Sequence, residues 1–419
     1  MENNQTLTKL NRVVITGLGT INPLGHNAQD AWQSALAGTS GVGDLTLANA
    51  ETSGIRIACE IKDFDPAVYL SRREVRRQDR YQHFATIAAR EALQQANLTI
   101  TPETALRYGV YMGIGIGGIT TLVEQERILN KYGGRRMNPF GVTMIMPNGA
   151  AGLLSIEHQF EGPSITIATA CASSSDAIGY AYRMIRYGEI DAALAGGSDA
   201  VITAVTMRGF KMARAVSTRS CHTPSPFDAN RDGLVIGEGA GVLVLESLEH
   251  AQARNATILA ELIGYGHTND AFHITAPATG ARGATRAVQL AMNQAQINPE
   301  DVDYINAHGT GTTLNDSHET LAIKNALGEH AYTTPMSSTK SMTGHIMGAT
   351  AAIEAIFCTQ AILDQKLPPT INYETADPEC DLDYVPNQAR AAKVDVAMSN
   401  AFGFGGHNSV LLFRRFSAS

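Results

Sequence analysis

The stretch "SITIATACASSSDAIGYAYRMIRYG", residues 164–188, decides the fold. A run of β-formers stops near Ala170, and small residues follow. From Ala172 an apolar period of three and four runs through Ala177, Ile178, Ala181, Met184 and Ile185, until Gly188 ends it. A strand therefore hands over to a helix, and Cys171 sits at the junction. Unpaired amides and the positive end of a helix dipole meet at such a point. Both are expected to stabilise a thiolate, lowering the pKa of Cys171 and making it a nucleophile. The amide of the same residue can stabilise an oxyanion on a substrate carbonyl.

The same alternation of strand and helix extends outward. Strands are predicted at "RVVITGLGT" (12–20), "RYGVYMGIGIGG" (107–118), "SITIATA" (164–170), "DAALAGGSDA" (191–200) and "GVLVLESL" (241–248). Helices are predicted over Ala28–Leu36 and Arg73–Ala96. Five cues then recur in the same order: "ILAELIGYGHT" (258–268), "VDYINAHGTGT" (302–312), "PMSSTKSMTGHIMGATAAIEAI" (335–356), "VDVAMSNAFGFGG" (394–406) and "NSVLLFRR" (408–415). The period is too long for a solenoid. A duplicated α/β unit fits, with two parallel-rich sheets covered by helices, divided as 12–256 and 257–416.

Composition narrows the function classes. The chain has 419 residues, 44% hydrophobic, with 39 glycines. A net charge of −8 argues against general nucleic-acid binding. Cys59, Cys171, Cys221, Cys358 and Cys380 are scattered and form no CxxC pair. That is the pattern of reduced thiols in a cytoplasmic protein, with neither a disulfide framework nor a metal site. The polar leader "MENNQTLTKLNR" carries no signal-peptide pattern, and no apolar run is long enough to span a membrane.

A thiol nucleophile needs partners, and two histidines qualify. His308 follows an apolar strand in "NAHGTGTTLNDSHE" (306–319). His345 lies in a glycine turn before a helix in "STKSMTGHIMGA" (338–349). In the repeat, His345 falls roughly where Cys171 falls in the first half, and His308 ends the strand beside it. Strand C-termini share one sheet edge, so pseudo-symmetric packing can bring all three together. Lys340 and Glu354 flank His345, either as surface charges or as a buried pair holding its turn. Two motifs are set aside. "GIGIGG" (113–118) lacks the later acidic residue of a dinucleotide fingerprint. "DANRDG" (228–233) lacks an acid at the twelfth position of a calcium loop.

Taken together, "ATACASSSDAI", "PFDANRDGLVIGEGAGVLVLE", "NAHGTGT", "STKSMTGHIMGA" and "SNAFGFGGHN" resemble the elongating β-ketoacyl-[acyl carrier protein] synthases, and among them the synthase II branch. The resemblance runs from about Arg12 to Arg415. It implies a thiolase-like five-layer αβαβα fold of two pseudo-symmetric halves, working as a homodimer. It implies chain elongation by decarboxylative Claisen condensation, in which malonyl-acyl carrier protein extends an acyl-enzyme by two carbons and releases carbon dioxide. Cys171 matches the nucleophile, and His308, His345 and Lys340 match the other catalytic positions. Cys171 and Phe402 match the amides of the oxyanion hole, and Phe402 also matches an acyl gate. Glu354, Asp316 and Glu319 match supporting positions. Thr310 and Thr312 match hydroxyls that hold phosphopantetheine, which the carrier protein brings, so no resident cofactor or metal is implied. Ile116 and Phe210 match acyl-pocket positions. Arg73, Arg76, Arg77 and Arg214 match positions that dock the acidic carrier protein. Asn400-Ala401 and Gly311 depart from the commoner serine or threonine. The rivals are a polyketide ketosynthase of the same fold, a thiolase, and a chain-length-factor-like subunit. A thiolase pairs its nucleophile with a second cysteine, and a chain-length factor lacks the nucleophile.

Overall fold

The structure, a computed structural model, describes residues 10–417. The leader up to Lys9 lies outside the described residues. Ten strands form one sheet: β1 Val13–Ile21, β2 Tyr108–Gly113, β3 Ser164–Ile167, β4 Ala192–Ala200, β5 Glu238–Ser247, β6 Ala260–Asn269, β7 Tyr304–Asn306, β8 Met336–Ser337, β9 Val396–Gly403 and β10 His407–Arg414. Their spatial order is β8-β7-β9-β10-β6-β1-β5-β4-β2-β3. Adding five to each number of the run β3-β2-β4-β5-β1 gives β8-β7-β9-β10-β6. The duplication seen in the strand cues is therefore a duplication of topology.

The pairings repeat as well. β2 is parallel to β3 and β4, whereas β5 is antiparallel to β4 and β1. β7 is parallel to β8 and β9, whereas β10 is antiparallel to β9 and β6. The expectation of two parallel-rich sheets is thus corrected in two ways. Each half is an even mixture, because the fifth strand runs backward. In the second half a three-residue turn, Phe404–Gly406, forces this: so short a loop joins only antiparallel strands. Gly405 and Gly406 supply its positive φ angles of 84° and 74°. The half-sheets are also joined edge to edge, where Val13, Val14 and Ile15 pair with Leu262, Glu261 and Ala260.

Helices build the layers. α1 Arg80–Ala96 and α2 Gly149–His158 cover the outer face of the first half-sheet. α3 Ser173–Arg186 and α6 Thr350–Asp364 lie between the half-sheets, and α4 Arg282–Ala295 and α5 Thr313–Leu327 cover the outer face of the second. The result is the five-layer stack that the resemblance implies. Burial accounts for the central layer. In α6 every residue from Thr350 to Ile362 is buried, as expected of a helix with protein on all sides. α3 is fastened to the far half-sheet by polar contacts: Tyr182 donates to Ile263 O (3.0 Å), Tyr265 donates to Asp176 (2.7 Å), and the Ser175 and Ser409 hydroxyls meet at 2.7 Å. Ser174 accepts the Ala352 amide at 3.0 Å, linking the two central helices.

The single helix expected over Arg73–Ala96 is two, Arg72–Arg77 and α1. Ser71 and Asp79 each form a capping box, and Gln78 between them is extended, so the second cap starts a new helix.

Candidate functional site

Two equivalent turns create the site. A 3-10 turn, Ala170–Ala172, runs straight into α3, and another, Met347–Ala349, runs straight into α6. Ala170 (φ 52°) and Met347 (φ 46°) both sit in the left-handed region. That conformation costs a non-glycine residue ~1–2 kcal/mol. The same brace holds both turns: Ser173 Oγ accepts from Thr169 N (2.9 Å), and Thr350 Oγ1 accepts from Ile346 N (2.7 Å). This match corrects the expected repeat alignment. The counterpart of Cys171 is Gly348, and His345 lies three residues earlier.

One ligand atom each of Cys171, His308 and His345 lies within 4.8 Å of the others. All three line a cavity of about 400 Å³ together with Phe210, Arg214, Thr310, Thr312, Phe402 and His318. The rings of His308 and His345 are perpendicular, with centroids 5.5 Å apart, and Phe402 stands edge-on to His308 at 5.9 Å. The first half thus contributes the sulfur and the second both imidazoles.

His345 has a fixed tautomer. The Met347 amide donates to Nδ1 at 3.0 Å, with the Thr350 hydroxyl 3.3 Å away. Nδ1 is therefore an acceptor, and the proton sits on Nε2, which is buried and has no protein partner. Burial, then the Lys340 cation, push the pKa of His345 down to about 3. The ring is a neutral N–H donor at any physiological pH. His308 is pushed well down by burial, Lys340 and His345. Its Nδ1 has no partner, so no hydrogen bond selects its tautomer.

The Lys340–Glu354 pair is the buried alternative of the two expected: Nζ and Oε1 are 2.5 Å apart and both side chains are almost fully covered. Burial raises Glu354 to about 7 against the pull of Lys340. Glu319 accepts the amides of His308 (2.8 Å) and Gly309 (2.7 Å) and the Asn400 side chain (3.0 Å), fixing the loop that carries His308. Asn400, one of the departures from the commoner pattern, is thus a second hand on that carboxylate. Asp316 accepts the amides of Phe227 (2.8 Å) and Gly311 (3.2 Å) below the Thr310 and Thr312 hydroxyls, which meet at 2.9 Å.

Several expectations need correction. The Cys171 thiol is not acidified: burial raises its pKa to about 11, outweighing Lys340 and hydrogen bonding from the backbones of Phe404 and Cys171. Backbone amides do face the sulfur, but desolvation of a thiolate costs more. The second amide beside the sulfur belongs to Phe404, not Phe402, whose residue lies within β9 before the turn. Ile116 is 38% exposed and outside the catalytic cavity, whereas Phe210 lines it. Arg214 lies at the cavity, but Arg73, Arg76 and Arg77 line a separate groove of about 550 Å³ with Arg72, Arg136 and Phe140. Sequence reasoning missed Phe404, His318 and Asp199. Only Asp199 had a signal, as a lone acid closing the small-residue run "AGGSDA".

The three ligand atoms are close enough together to raise the question of a zinc-like ion. Their protonation argues against it. His345 offers the cavity a hydrogen rather than a lone pair, and the Lys340 cation acts on all three groups. The arrangement suits thioester carbonyls whose oxygen develops negative charge.

Comparison with known proteins bears on the family and the fold. The family model for the N-terminal domain of beta-ketoacyl synthase matches residues 10–251, and that for the C-terminal domain matches residues 259–374. The 3-oxoacyl-[acyl-carrier-protein] synthase 2 of Synechocystis sp. is 49% identical over 408 residues, covering 97% of this chain and 98% of that protein. Its namesake from Staphylococcus aureus (strain COL) is 48% identical over 412 residues, covering 97% and 99%. Among solved structures, the ishigamide ketosynthase/chain length factor superposes with a TM-score of 0.90 at 37% identity, covering 97% of this chain and all of that one. A type II polyketide acyl-carrier protein in complex with its ketosynthase, bound to the hexaketide, gives a TM-score of 0.88 at 36% identity with the same coverage.

Proposed function

The chain belongs to the β-ketoacyl synthase family, and from that premise we propose that it elongates acyl chains on acyl carrier protein by decarboxylative condensation with malonyl-acyl carrier protein. The observation that carries this reading is the convergence of one sulfur and two neutral imidazoles, lent by different halves (12–256 and 257–416), in one cavity.

In the first step Sγ of Cys171 attacks the acyl thioester carbon. At neutral pH it is a thiol, so its proton must leave as the bond forms. His345 cannot take it, because Nε2 already carries hydrogen; His308, with no tautomer imposed, can. The oxyanion is received by the amides of Cys171 and Phe404, and the proton passes to the departing thiol of the carrier. In the second step the malonyl thioester carbonyl accepts from Nε2–H of His345 and from His308. The bond to the carboxylate breaks, carbon dioxide leaves, and the electron pair becomes an enolate. That enolate attacks the acyl carbon, the Cys171 sulfur leaves as a thiolate and takes a proton from solvent, and the product is a 3-oxoacyl thioester two carbons longer. Burial, with the charge of Lys340 second, keeps both rings neutral, and Lys340 is itself paired with Glu354.

Phosphopantetheine arrives on the carrier protein and needs no resident cofactor. Thr310 and Thr312 offer it hydroxyls. The arginine groove, in a chain of net charge −8, suits an acidic carrier, with Arg214 at the cavity. A homodimer is supported by β3, which ends the sheet and exposes Ile165 (43%), with Ile156 of α2 exposed beside it. A reducing cytoplasm is supported by five free cysteines, three of them buried. No helix among the described residues is long and apolar enough to cross a membrane.

The test is a series of acyl-carrier-protein primers with malonyl-carrier protein, followed by mass spectrometry. The expected product is the 3-oxoacyl thioester, and Cys171→Ala should take up no acyl group. A covalent acyl adduct on that variant would overturn the role given to Cys171, and turnover only with polyketide carriers would overturn the reading that the chains elongated are fatty acyl chains. The ketosynthase neighbours of polyketide assembly make the second outcome the specific alternative.

A further inference from the structure

The counterpart of the Cys171 turn is occupied. In the first half, amides converge on a sulfur. In the second half, the amide of Gly348, which stands where Cys171 stands, donates to Asp199 Oδ2 at 2.7 Å. The Gly115 amide donates to the same oxygen at 2.9 Å, and the Ile116 amide donates to Oδ1 at 3.2 Å. Asp199 is the penultimate residue of β4, as Phe402 is of β9, and is fully buried. A side chain on Gly348 would come within 2.8 Å of Asp199 Oδ2 and 2.5 Å of Gly115 N, and one on Gly115 within 2.7 Å of the same carboxylate oxygen. The two halves therefore meet backbone to backbone around a carboxylate that no step above employs.

We propose that Asp199 is a positioning residue: its carboxylate fills the second-half copy of the amide pocket and, by holding the Met347–Gly348 turn, keeps His345 presented as an Nε2–H donor. The link is one peptide long. The Gly348 amide is held by Asp199, and the adjacent Met347 amide is the donor to His345 Nδ1. Met347 has φ 46°, a conformation its own side chain does not favour, so an outside anchor is needed to hold it. Losing the anchor frees the Met347 N–H to turn away, and His345 is then released to the other tautomer. The same carboxylate acts on Cys171 in the opposite sense, since its charge raises the thiol pKa. Removing it therefore affects the two half-reactions differently. Acylation of Cys171 is kept or quickened, while decarboxylation is slowed.

This inference rests on the role given to His345 in decarboxylation, and the test separates the two. In a Cys171→Gln background, carbon dioxide release from malonyl-carrier protein is measured for Asp199→Ala and Asp199→Glu. Acyl uptake is measured for Asp199→Ala in the otherwise native chain. The expected result is a fall in kcat for carbon dioxide release of ~10-fold or more with KM little changed, acyl uptake at or above the parent rate, and partial recovery with Asp199→Glu. Sodium formate, a free carboxylate that fits the vacated pocket, should restore part of the loss in Asp199→Ala and none in the parent. The ¹⁵N shifts of His345 should move from the Nε2–H pattern toward a tautomer mixture. Unchanged carbon dioxide release overturns the proposal, as does a parallel loss of both half-reactions that formate does not relieve. Should Asp199→Ala not fold, Asp199→Asn, of nearly equal volume, is read by the same measurements. If His345→Ala in the same background still releases carbon dioxide at the parent rate, the failure belongs to the underlying reading.

Discussion

Replacing His345 isolates the chemistry of a single N–H. Its Nε2–H is buried, unpartnered by protein and directed by a fixed tautomer. Loss of one such preorganised donor from a developing oxyanion costs ~2.7–4 kcal/mol, or ~10²–10³ in rate. In the Cys171→Gln background, which removes acyl transfer, His345→Ala should therefore slow carbon dioxide release from labelled malonyl-carrier protein by that factor. His345→Gln carries both an acceptor and a donor on one end, and should recover at least tenfold of the loss. Because burial and Lys340 hold His345 near 3, its ¹⁵N shifts should keep the neutral Nε2–H pattern between pH 8 and pH 6, whatever Glu354 and Glu319, both near 7, do to the rate. Two results would refute the reasoning: a glutamine variant no faster than alanine, or His345 ¹⁵N shifts that titrate with a midpoint near the ordinary histidine value. The second would mean that the ring titrates and works as a base.

Three other outcomes follow from the site. Alkylation of Cys171 by iodoacetamide, read by mass spectrometry of its peptide, should rise about tenfold per pH unit from 7 to 9 without levelling, because the thiol titrates near 11; a plateau below pH 8 would contradict the burial argument. Glu319 is held near 7 in the folded chain, above its unfolded value, so the folded state binds the extra proton between about pH 4.5 and 7 and that stabilisation is lost as pH rises through 7. Glu319→Gln cannot ionise, so its stability deficit against the parent should shrink between pH 5 and pH 8 in urea titrations. Gly403→Ala places a methyl 2.8 Å from Thr169 O and 3.1 Å from the Cys171 amide, and should slow acyl uptake more than it slows decarboxylation.

The strands were legible because apolar runs between glycine turns survive in one dimension, and their order repeats. Cys171 and His308 were legible for the same reason, since each ends or follows such a run, and His345 because its glycine turn precedes a helix of small residues. Backbone amides leave no such trace. Phe404 contributes its N–H, which every residue but proline has, so the residue type at 404 could not single it out. The acidity of Cys171 was misjudged because helix-end amides can be read from spacing, whereas desolvation depends on what packs around the sulfur from elsewhere in the chain. Ile116 was placed in the pocket by likeness alone, and its 38% exposure depends on what packs near it in space, which the local sequence does not record. The repeat alignment slipped by three residues because glycine and small residues surround both turns; the shared left-handed φ of Ala170 and Met347 locates them unambiguously.

The helix from Ser173 to Arg186 also constrains biogenesis. One of its faces is covered by strands made before residue 250, the other by strands and a helix made after residue 259. A nascent chain therefore carries a bare apolar surface on that helix until the ribosome has released the last strand, at Arg414. Cutting the gene between the halves should yield two sticky, inactive fragments, and any activity recovered on mixing them would require mutual templating rather than docking of finished parts.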